Sequence, residues 1–149
     1  MDVENGPDRL SLTLTLPTAP SRVWEALTGA EHIRVWWGDH VTLEAKAGGS
    51  LREEWDDGSG TPMVTEGEVL TYQPPRHLVM TWKDANWPLA TRVSITLEET
   101  PPGRTRLRLD HTGWASLGVS EEARDTLIAN HSAGWSIHLR DLRDHMRRI

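Results

Sequence analysis

A chain of 149 residues is long enough for one domain with a hydrophobic core, and its formal charge at pH 7 is −6. The 16 Lys and Arg residues are outnumbered by 22 Asp and Glu residues, which argues against a nucleic-acid partner because binding phosphates needs clustered cations. Cysteine is absent, so disulfides, thiolate nucleophiles and cysteine-based metal sites are excluded.

The start of the chain lacks the apolar run of a signal peptide or a transmembrane helix. We therefore expect no membrane insertion and a cytoplasmic location. The aromatic residues are eight Trp and one Tyr, with no Phe. Because each buried indole N–H needs a hydrogen-bond partner, this composition fits a polar-lined cavity as well as a Trp-rich core.

The chain opens with a strand followed by two short helices. Residues 1–8 are polar and are expected to form a flexible arm. Residues 9–16 alternate Leu with Ser and Thr, which predicts a half-buried strand. The segments 20–28 and 30–37 each have the spacing of a short helix that ends at a glycine.

Between residues 41 and 112 the hydrophobic pattern has a period of two and is interrupted by Gly, Pro and Asp at turns. The six predicted strands cover residues 41–45, 50–55, 64–72, 77–83, 91–98 and 105–112. Short connections of this kind join antiparallel neighbours. With the strand at 9–16, an antiparallel sheet of about seven strands is expected.

The C-terminal segment, residues 120–149, has the apolar spacing of one long helix. Ser120 is a suitable N-cap, and two glutamates follow in the first turn, where the helix dipole favours anions. One face carries Leu127, Ile128, His131, Trp135, His138, Leu139, Leu142, His145, Met146 and Ile149. The apolar face of the sheet needs a cover, and this helix is long enough to provide it.

Alternation along the strands predicts which side chains face this helix, because residues two apart share one face of a strand. The phase places Glu53, Glu68 and His111 on the apolar face. The helix stripe adds His131 and His138. With the aromatic walls, the candidate ligand-binding residues are Trp36, Glu53, Trp55, Glu68, Tyr72, Trp82, His111, Trp114, His131, Trp135 and His138. The alternative is that each polar group completes a core hydrogen bond or reaches water.

Three functions fit these residue types. The first is a cavity that orients a small hydrophobic ligand by a few hydrogen bonds. The second is non-covalent acid/base catalysis by a carboxylate and a histidine with shifted pKa values, as in a cyclase, dehydratase or hydrolase. The third is a protein-interaction surface at the Trp36-Trp37 pair, and a homodimer is left open.

No metal ion and no built-in cofactor are expected. Helix histidines seven residues apart are separated by roughly 10 Å, which is too far to share one zinc ion. The chain also lacks a phosphate loop, a dinucleotide fingerprint and a nucleophile elbow. The one alternative is a metal site formed by His111, a helix histidine and either Glu53 or Glu68.

Seven short segments occur in the order found in a known family. They are APSRVWEALT at 19–28, EHIRVWWG at 31–38, GEVL at 67–70, PRHLVMTW at 75–82, TRL at 105–107, DHTGW at 110–114 and GW at 134–135. Together they resemble proteins related to the C-terminal domain of the activator of Hsp90 ATPase, in the START-like or Bet v 1-like superfamily. The resemblance extends from about Leu10 to Met146.

This resemblance implies a single α+β domain over residues 1–149 with the helix-grip fold, in which a curved antiparallel sheet wraps on the long C-terminal helix. It also implies a hydrophobic pocket between sheet and helix, with a small hydrophobic molecule as the partner. Superfamily members include ligand carriers, cyclases and hydrolases, so the fold alone does not give the activity. Hsp90 activation belongs to eukaryotic members with an additional N-terminal domain. The chain is too short for that domain, so an Hsp90 partner is not expected.

Overall fold

All strands of the protein belong to one antiparallel sheet. A computed structural model describes residues 1–149. The strands are β1 (Asp2–Asn5), β2 (Arg9–Leu16), β3 (Val41–Leu43), β4 (Ser50–Asp56), β5 (Pro62–Gln73), β6 (His77–Trp82), β7 (Thr91–Thr100) and β8 (Arg104–Thr112). The helices are α1 (Pro20–Thr28), α2 (Ala30–Trp36) and α3 (Glu121–Met146), and a short 3₁₀ helix covers Trp114–Leu117.

The strand order across the sheet is β1-β2-β8-β7-β6-β5-β4-β3, and all neighbouring pairs are antiparallel. Because β3 lies at the far edge from β1, the helices α1 and α2 carry the chain from one side of the sheet to the other. The long helix α3 contacts β1 and β2 as well as both short helices. This arrangement is the helix-grip architecture expected from the sequence.

The inner face of the sheet follows the predicted alternation in β2, β7 and β8. Its buried side chains on these strands include Leu10, Leu12, Leu14, Leu16, Val93, Ile95, Leu97, Leu107 and Leu109. Register pairs such as Ile95 with Leu109 bring them side by side across neighbouring strands. Full burial of each such side chain stabilises the fold by about 1.5–3 kcal/mol relative to exposure.

The first eight residues are not a flexible arm, because Asp2–Asn5 pairs with β2 and forms an edge of the sheet. All four side chains of β1 are exposed. The strand therefore buries no apolar face and has no alternation for a sequence pattern to detect. Its backbone pairing with β2 raises the strand count from about seven to eight.

The strand β5 contains an irregularity that changes which side chains face inward. Its register with β6 shifts between Val69 and Thr71, as in a β-bulge. Before the shift Thr65 and Val69 are buried, and after it Tyr72 packs against the core. Because the bulge interrupts the period of two, Glu68 points outward and is exposed.

The long helix begins where the sequence predicts. The Ser120 hydroxyl accepts a hydrogen bond from the backbone N–H of Ala123 at 3.1 Å and caps the N-terminus. The buried face consists of Ile128, Ser132, Trp135, Leu139, Leu142, His145 and Met146. Ile149, expected on this face, lies beyond the end of the helix and is exposed. None of the helices combines the length and apolarity that crossing a bilayer requires.

Candidate functional site

A pocket of about 290 Å³ opens beside the middle of α3, where the helix faces β4, the start of β5 and the end of β6. It is lined by Glu53, Trp55, Thr65, Trp82, Asp84, Asn130, His131, Gly134, Trp135 and His138. Indoles supply apolar walls, and carboxylates and imidazoles supply polar groups. This recess is open to solvent.

The space deeper between sheet and helix is occupied by stacked indoles. Trp37 stacks on Trp82 with ring centroids 6.4 Å apart and an interplanar angle of 4°, and its centroid lies 5.7 Å from that of Trp135. Trp36 packs on Trp37 at 5.3 Å and donates its N–H to the carbonyl of Ala26 at 2.7 Å. The pocket therefore rests on a layer of aromatic side chains.

Asp84, just after β6, organises one part of the pocket wall. Its Oδ1 accepts hydrogen bonds from the Thr65 hydroxyl at 2.6 Å and from the Trp82 indole N–H at 3.0 Å. Trp55 donates its own N–H to the Thr65 hydroxyl at 3.0 Å. One carboxylate thus orients two of the pocket indoles, directly for Trp82 and through a hydroxyl for Trp55.

The second oxygen of Asp84 pairs with His131 on α3. Asp84 Oδ2 lies 2.8 Å from His131 Nε2, and His131 Nδ1 lies 2.9 Å from the carbonyl oxygen of Leu127. A carbonyl oxygen can only accept, so His131 Nδ1 carries a hydrogen and donates it to Leu127. The side chains of His131 and Asp84 are 18% and 14% exposed. This geometry describes a largely buried, hydrogen-bonded pair between His131 and Asp84.

His111 lies behind the pocket wall and is sealed from solvent. Its Nδ1 accepts the N–H of Trp135 at 3.1 Å. The Thr91 hydroxyl donates to the carbonyl of Trp82 at 2.9 Å, so it must accept from His111 Nε2–H at 2.6 Å. His111 is therefore the neutral Nε2–H tautomer. Burial, aided by the charge of His131, lowers the pKa of His111 well below 6.5.

Glu53 on β4 is a second carboxylate at the pocket. Its Oε2 lies 3.0 Å from Nε2 of His40, and the two side chains are 12% and 44% exposed respectively. Burial raises the pKa of Glu53 above 4.5, and the charge of Asp84 adds to the rise, although His40 opposes it. The Trp37 indole N–H is near enough to lower this pKa slightly, yet it is buried without a hydrogen-bond partner.

His138 lies two turns after His131 on α3 and shares the pocket with Glu53. Its ring centroid is 5.6 Å from that of Trp37 and 6.1 Å from that of Trp135. Burial against these indoles lowers the pKa of His138 below 6.5, so the ring is neutral at neutral pH. The pKa values of Glu53 and His138 are thus displaced towards each other.

The structure divides the eleven candidate residues into three groups. Those that line the pocket are Glu53, Trp55, Trp82, His131, Trp135 and His138. The buried interior contains Trp36, His111 and Trp114, and Tyr72 is partly buried against the same core. Trp114, for example, is fully buried and donates its N–H to the His111 carbonyl at 2.9 Å. Glu68 is a wrong prediction, because the bulge in β5 turns it to solvent.

Four pocket residues were not among the candidates: Thr65, Asp84, Asn130 and Gly134. Helical periodicity alone could have found two of them, since Asn130, Gly134 and His138 follow one another at intervals of four residues. A search for a stripe of apolar residues along the helix does not select Asn or Gly. Asp84 follows a strand and resembles an ordinary turn residue, so its role appears when Thr65 and His131 are placed beside it.

The arrangement of ligand-type side chains does not supply a metal centre. His111 and His131 each use both ring nitrogens in hydrogen bonds within the protein. No group of three or more His, Asp or Glu side chains is placed to hold a metal ion. The pocket therefore offers hydrogen bonds, charge and aromatic surface to a ligand.

One known protein family matches nearly the whole of this chain. The model of the family described as activator of Hsp90 ATPase homolog 1-like protein matches residues 17–147, which include α1, α2, α3 and every pocket residue. The chain belongs to this family. Membership in the activator of Hsp90 ATPase homolog 1-like family confirms the resemblance identified from the sequence segments.

Individual relatives of the family are similar over parts of this chain. The human activator of 90 kDa heat shock protein ATPase homolog 1 is 29% identical over 89 residues, which are 60% of this chain and 24% of the human protein. The mouse activator homolog 2 is 29% identical over 105 residues, which are 70% of this chain and 30% of the mouse protein. The aligned part is thus less than a third of either relative.

The fold is shared with solved structures over its full length. A crystal structure of a protein from Rhodobacter sphaeroides superposes with a TM-score of 0.78 and 20% sequence identity. The alignment covers 99% of this chain and 98% of that one. This similarity confirms the helix-grip fold of the activator of Hsp90 ATPase homolog 1-like domain.

Proposed function

We propose that this protein binds a small, largely apolar molecule in the pocket between β4, β5, β6 and α3. The observation that carries the proposal is the combination of indole walls with a few polar side chains in one open recess. Ligand sites typically have this composition, because apolar surface supplies affinity and a small number of polar groups fixes orientation. The volume of about 290 Å³ fits a molecule with one or two rings.

The pocket walls are held in place before any ligand arrives. Trp82 and Trp55 are fixed by the Asp84–Thr65 hydrogen bonds, and Trp135 is fixed by its bond to His111. Side chains that are already ordered lose little conformational entropy on binding, so a preorganised site gains affinity. This rigidity supports a binding function for the recess.

Gly134 keeps the pocket open at the helix surface. A Cβ added at this position meets no other atom within 4 Å, so a side chain there enters the recess without a clash. Glycine inside a helix destabilises it by about 1 kcal/mol relative to alanine. A role in leaving space for a ligand accounts for a glycine at this position.

The experiment is a titration of the protein with neutral one-ring and two-ring aromatic compounds, followed by Trp fluorescence. We expect saturable changes in the wild-type protein and their loss in Gly134→Leu. Ala133→Leu, at an exposed position on the same helix, is the matched control and should bind as wild type. No saturable change across the whole panel, or equal binding by Gly134→Leu, would contradict the proposal.

Acid/base catalysis in the same pocket is the second candidate, favoured by the placement of Glu53 and His138. Their pKa values are displaced towards each other, which favours proton transfer because the acid and the base become more closely matched. Glu68 and His111 are unsuited to acid/base catalysis in this pocket, because Glu68 is exposed and His111 is sealed from solvent and neutral. If turnover of a substrate is found, Glu53→Gln and His138→Gln should each reduce it by roughly 10²–10⁴-fold while binding persists.

A role related to Hsp90 is the third candidate, supported by family membership and by the name of the human relative. The aligned part is 24% of that relative, so the function of the whole human protein is a proposal for this chain. The measurement is Hsp90 ATPase activity with and without the purified protein. A rate increase that saturates with protein concentration would support this candidate, and an unchanged rate would remove it.

A further inference from the structure

The polar groups of the pocket do not contribute equally to its charge. Both oxygens of Asp84 already have partners within the protein, because Oδ2 pairs with His131 and Oδ1 accepts two hydrogen bonds. His138 is neutral at neutral pH because burial lowers its pKa. No Lys or Arg lines the recess.

Glu53 is therefore the pocket group whose charge is least compensated. Its one ionic partner, His40, lies on the more exposed side and contacts Oε2. The carboxylate is 12% exposed, and removing an ionised carboxylate from water is unfavourable unless partners replace the lost hydration. A ligand that brings a positive charge and hydrogen-bond donors to Glu53 would supply those partners.

The surrounding walls also favour a cation. The faces of Trp, more than those of Tyr or Phe, attract positively charged groups through the ring quadrupole. Trp55, Trp82 and Trp135 all line this recess. An anionic ligand would instead meet the Glu53 carboxylate, with no Lys or Arg in the pocket lining to balance it.

We propose that this pocket selects an arylalkylammonium cation. Its apolar ring system lies against the indoles, and its primary ammonium group donates to Glu53. The inference rests on the proposed binding function and adds the charge of the ligand to it. The ammonium group can form up to three hydrogen bonds, and a charge-assisted N–H to carboxylate bond is about twice as strong as a neutral one.

Three probes of matched shape test the inference: 2-naphthylmethylamine, 2-naphthylmethanol and 2-naphthoate. Binding is followed at neutral pH through the indole N–H resonances of ¹⁵N-labelled protein. We expect the amine to bind about tenfold more tightly than the alcohol, as a charge-assisted bond predicts, and the carboxylate to bind most weakly.

Two neighbouring glutamates on β4 supply the matched variants. Glu53→Gln should remove the preference for the amine, because the amide keeps the shape of the carboxylate but carries no charge. Glu54, on the opposite face of the strand, has a side chain that is 64% exposed. Glu54→Gln changes the net charge equally and should leave the preference intact.

The results of these experiments distinguish the charge selectivity of the pocket from the binding function on which it depends. Equal binding of amine and alcohol by wild type, or an amine preference that survives Glu53→Gln, would overturn the charge selectivity while the pocket remains a binding site. Failure of all three probes, together with failure of the neutral aromatic panel, would overturn the binding function and this inference with it.

Discussion

Two histidines on either side of the pocket wall show how the same side chain acquires different properties. His111 is sealed behind Trp82 and Trp135, accepts one hydrogen bond and donates another, and is neutral. His131 faces the pocket, donates to the Leu127 carbonyl and pairs with the Asp84 carboxyl group. The burial of a histidine and the types of atoms next to it decide whether it serves packing or recognition.

The side chains around the two histidines form two layers that differ in the same way. We define the inner layer as His111, Thr91 and Trp114, and the pocket layer as Glu53, Trp55, Asp84, His131 and His138. Every residue of the inner layer is buried, whereas those of the pocket layer retain partial exposure. Changes in the inner layer should therefore affect stability, and changes in the pocket layer should affect the properties of the site.

The largest expected effect comes from truncating an indole in the inner layer. Trp114 is fully buried, so Trp114→Ala should lower the free energy of unfolding by about 3–5 kcal/mol through lost contacts and a cavity. Trp55→Ala, in the half-exposed pocket layer, should cost about 1 kcal/mol because it mainly removes one hydrogen bond. Urea unfolding measures both. Equal losses would remove the distinction between the two layers.

A smaller effect is expected from breaking the ion pair of the pocket layer. Asp84→Ala leaves His131 without its counter-ion and Trp82 without an acceptor, so the free energy of unfolding should fall by about 2–3 kcal/mol. Asp84→Asn keeps an acceptor and can donate to a neutral His131, so its cost should be about 1 kcal/mol. Equal losses in the two variants would show that the charge of the Asp84–His131 pair does not contribute to stability.

The neutral state of His111 predicts how stability changes with pH. Its folded pKa lies well below 6.5, so below about pH 6.5 the unfolded chain takes up a proton that the folded protein does not. The unfolding free energy should be constant above this value and fall as the pH is lowered, with His138 contributing in the same direction. Urea unfolding between pH 7.5 and pH 5 should show a shallower decline in His111→Gln. An unchanged decline would mean that His111 is not responsible.

The smallest effect expected is a gain in stability at the pocket mouth. Gly134→Ala should raise the free energy of unfolding by about 0.5–1 kcal/mol, since alanine is the better helix former and its Cβ meets nothing within 4 Å. Thermal unfolding with and without a bound aromatic probe separates this gain from lost affinity. A destabilised variant would show that the position is more crowded than the structure indicates.

Regular patterns in the sequence were sufficient for much of the architecture. Strands β2, β7 and β8 alternate without interruption, so their inward residues, including His111, were assigned correctly. The Ser120 cap and the start of α3 were also predicted from local chemistry. These features depend on neighbours within a few residues, which a linear sequence records.

Other features depend on contacts between distant segments, and the tertiary structure alone decided them. One bulge in β5 reversed the facing of Glu68, and backbone pairing made an edge strand of Asp2–Asn5 without any apolar pattern. Asp84 became the centre of the pocket because Thr65 and His131, 19 and 47 residues away, converge on its two oxygens. Local periodicity determines which face of an element is apolar. Only the packed arrangement determines which polar atoms meet, because hydrogen bonding requires a position within a few tenths of an ångström.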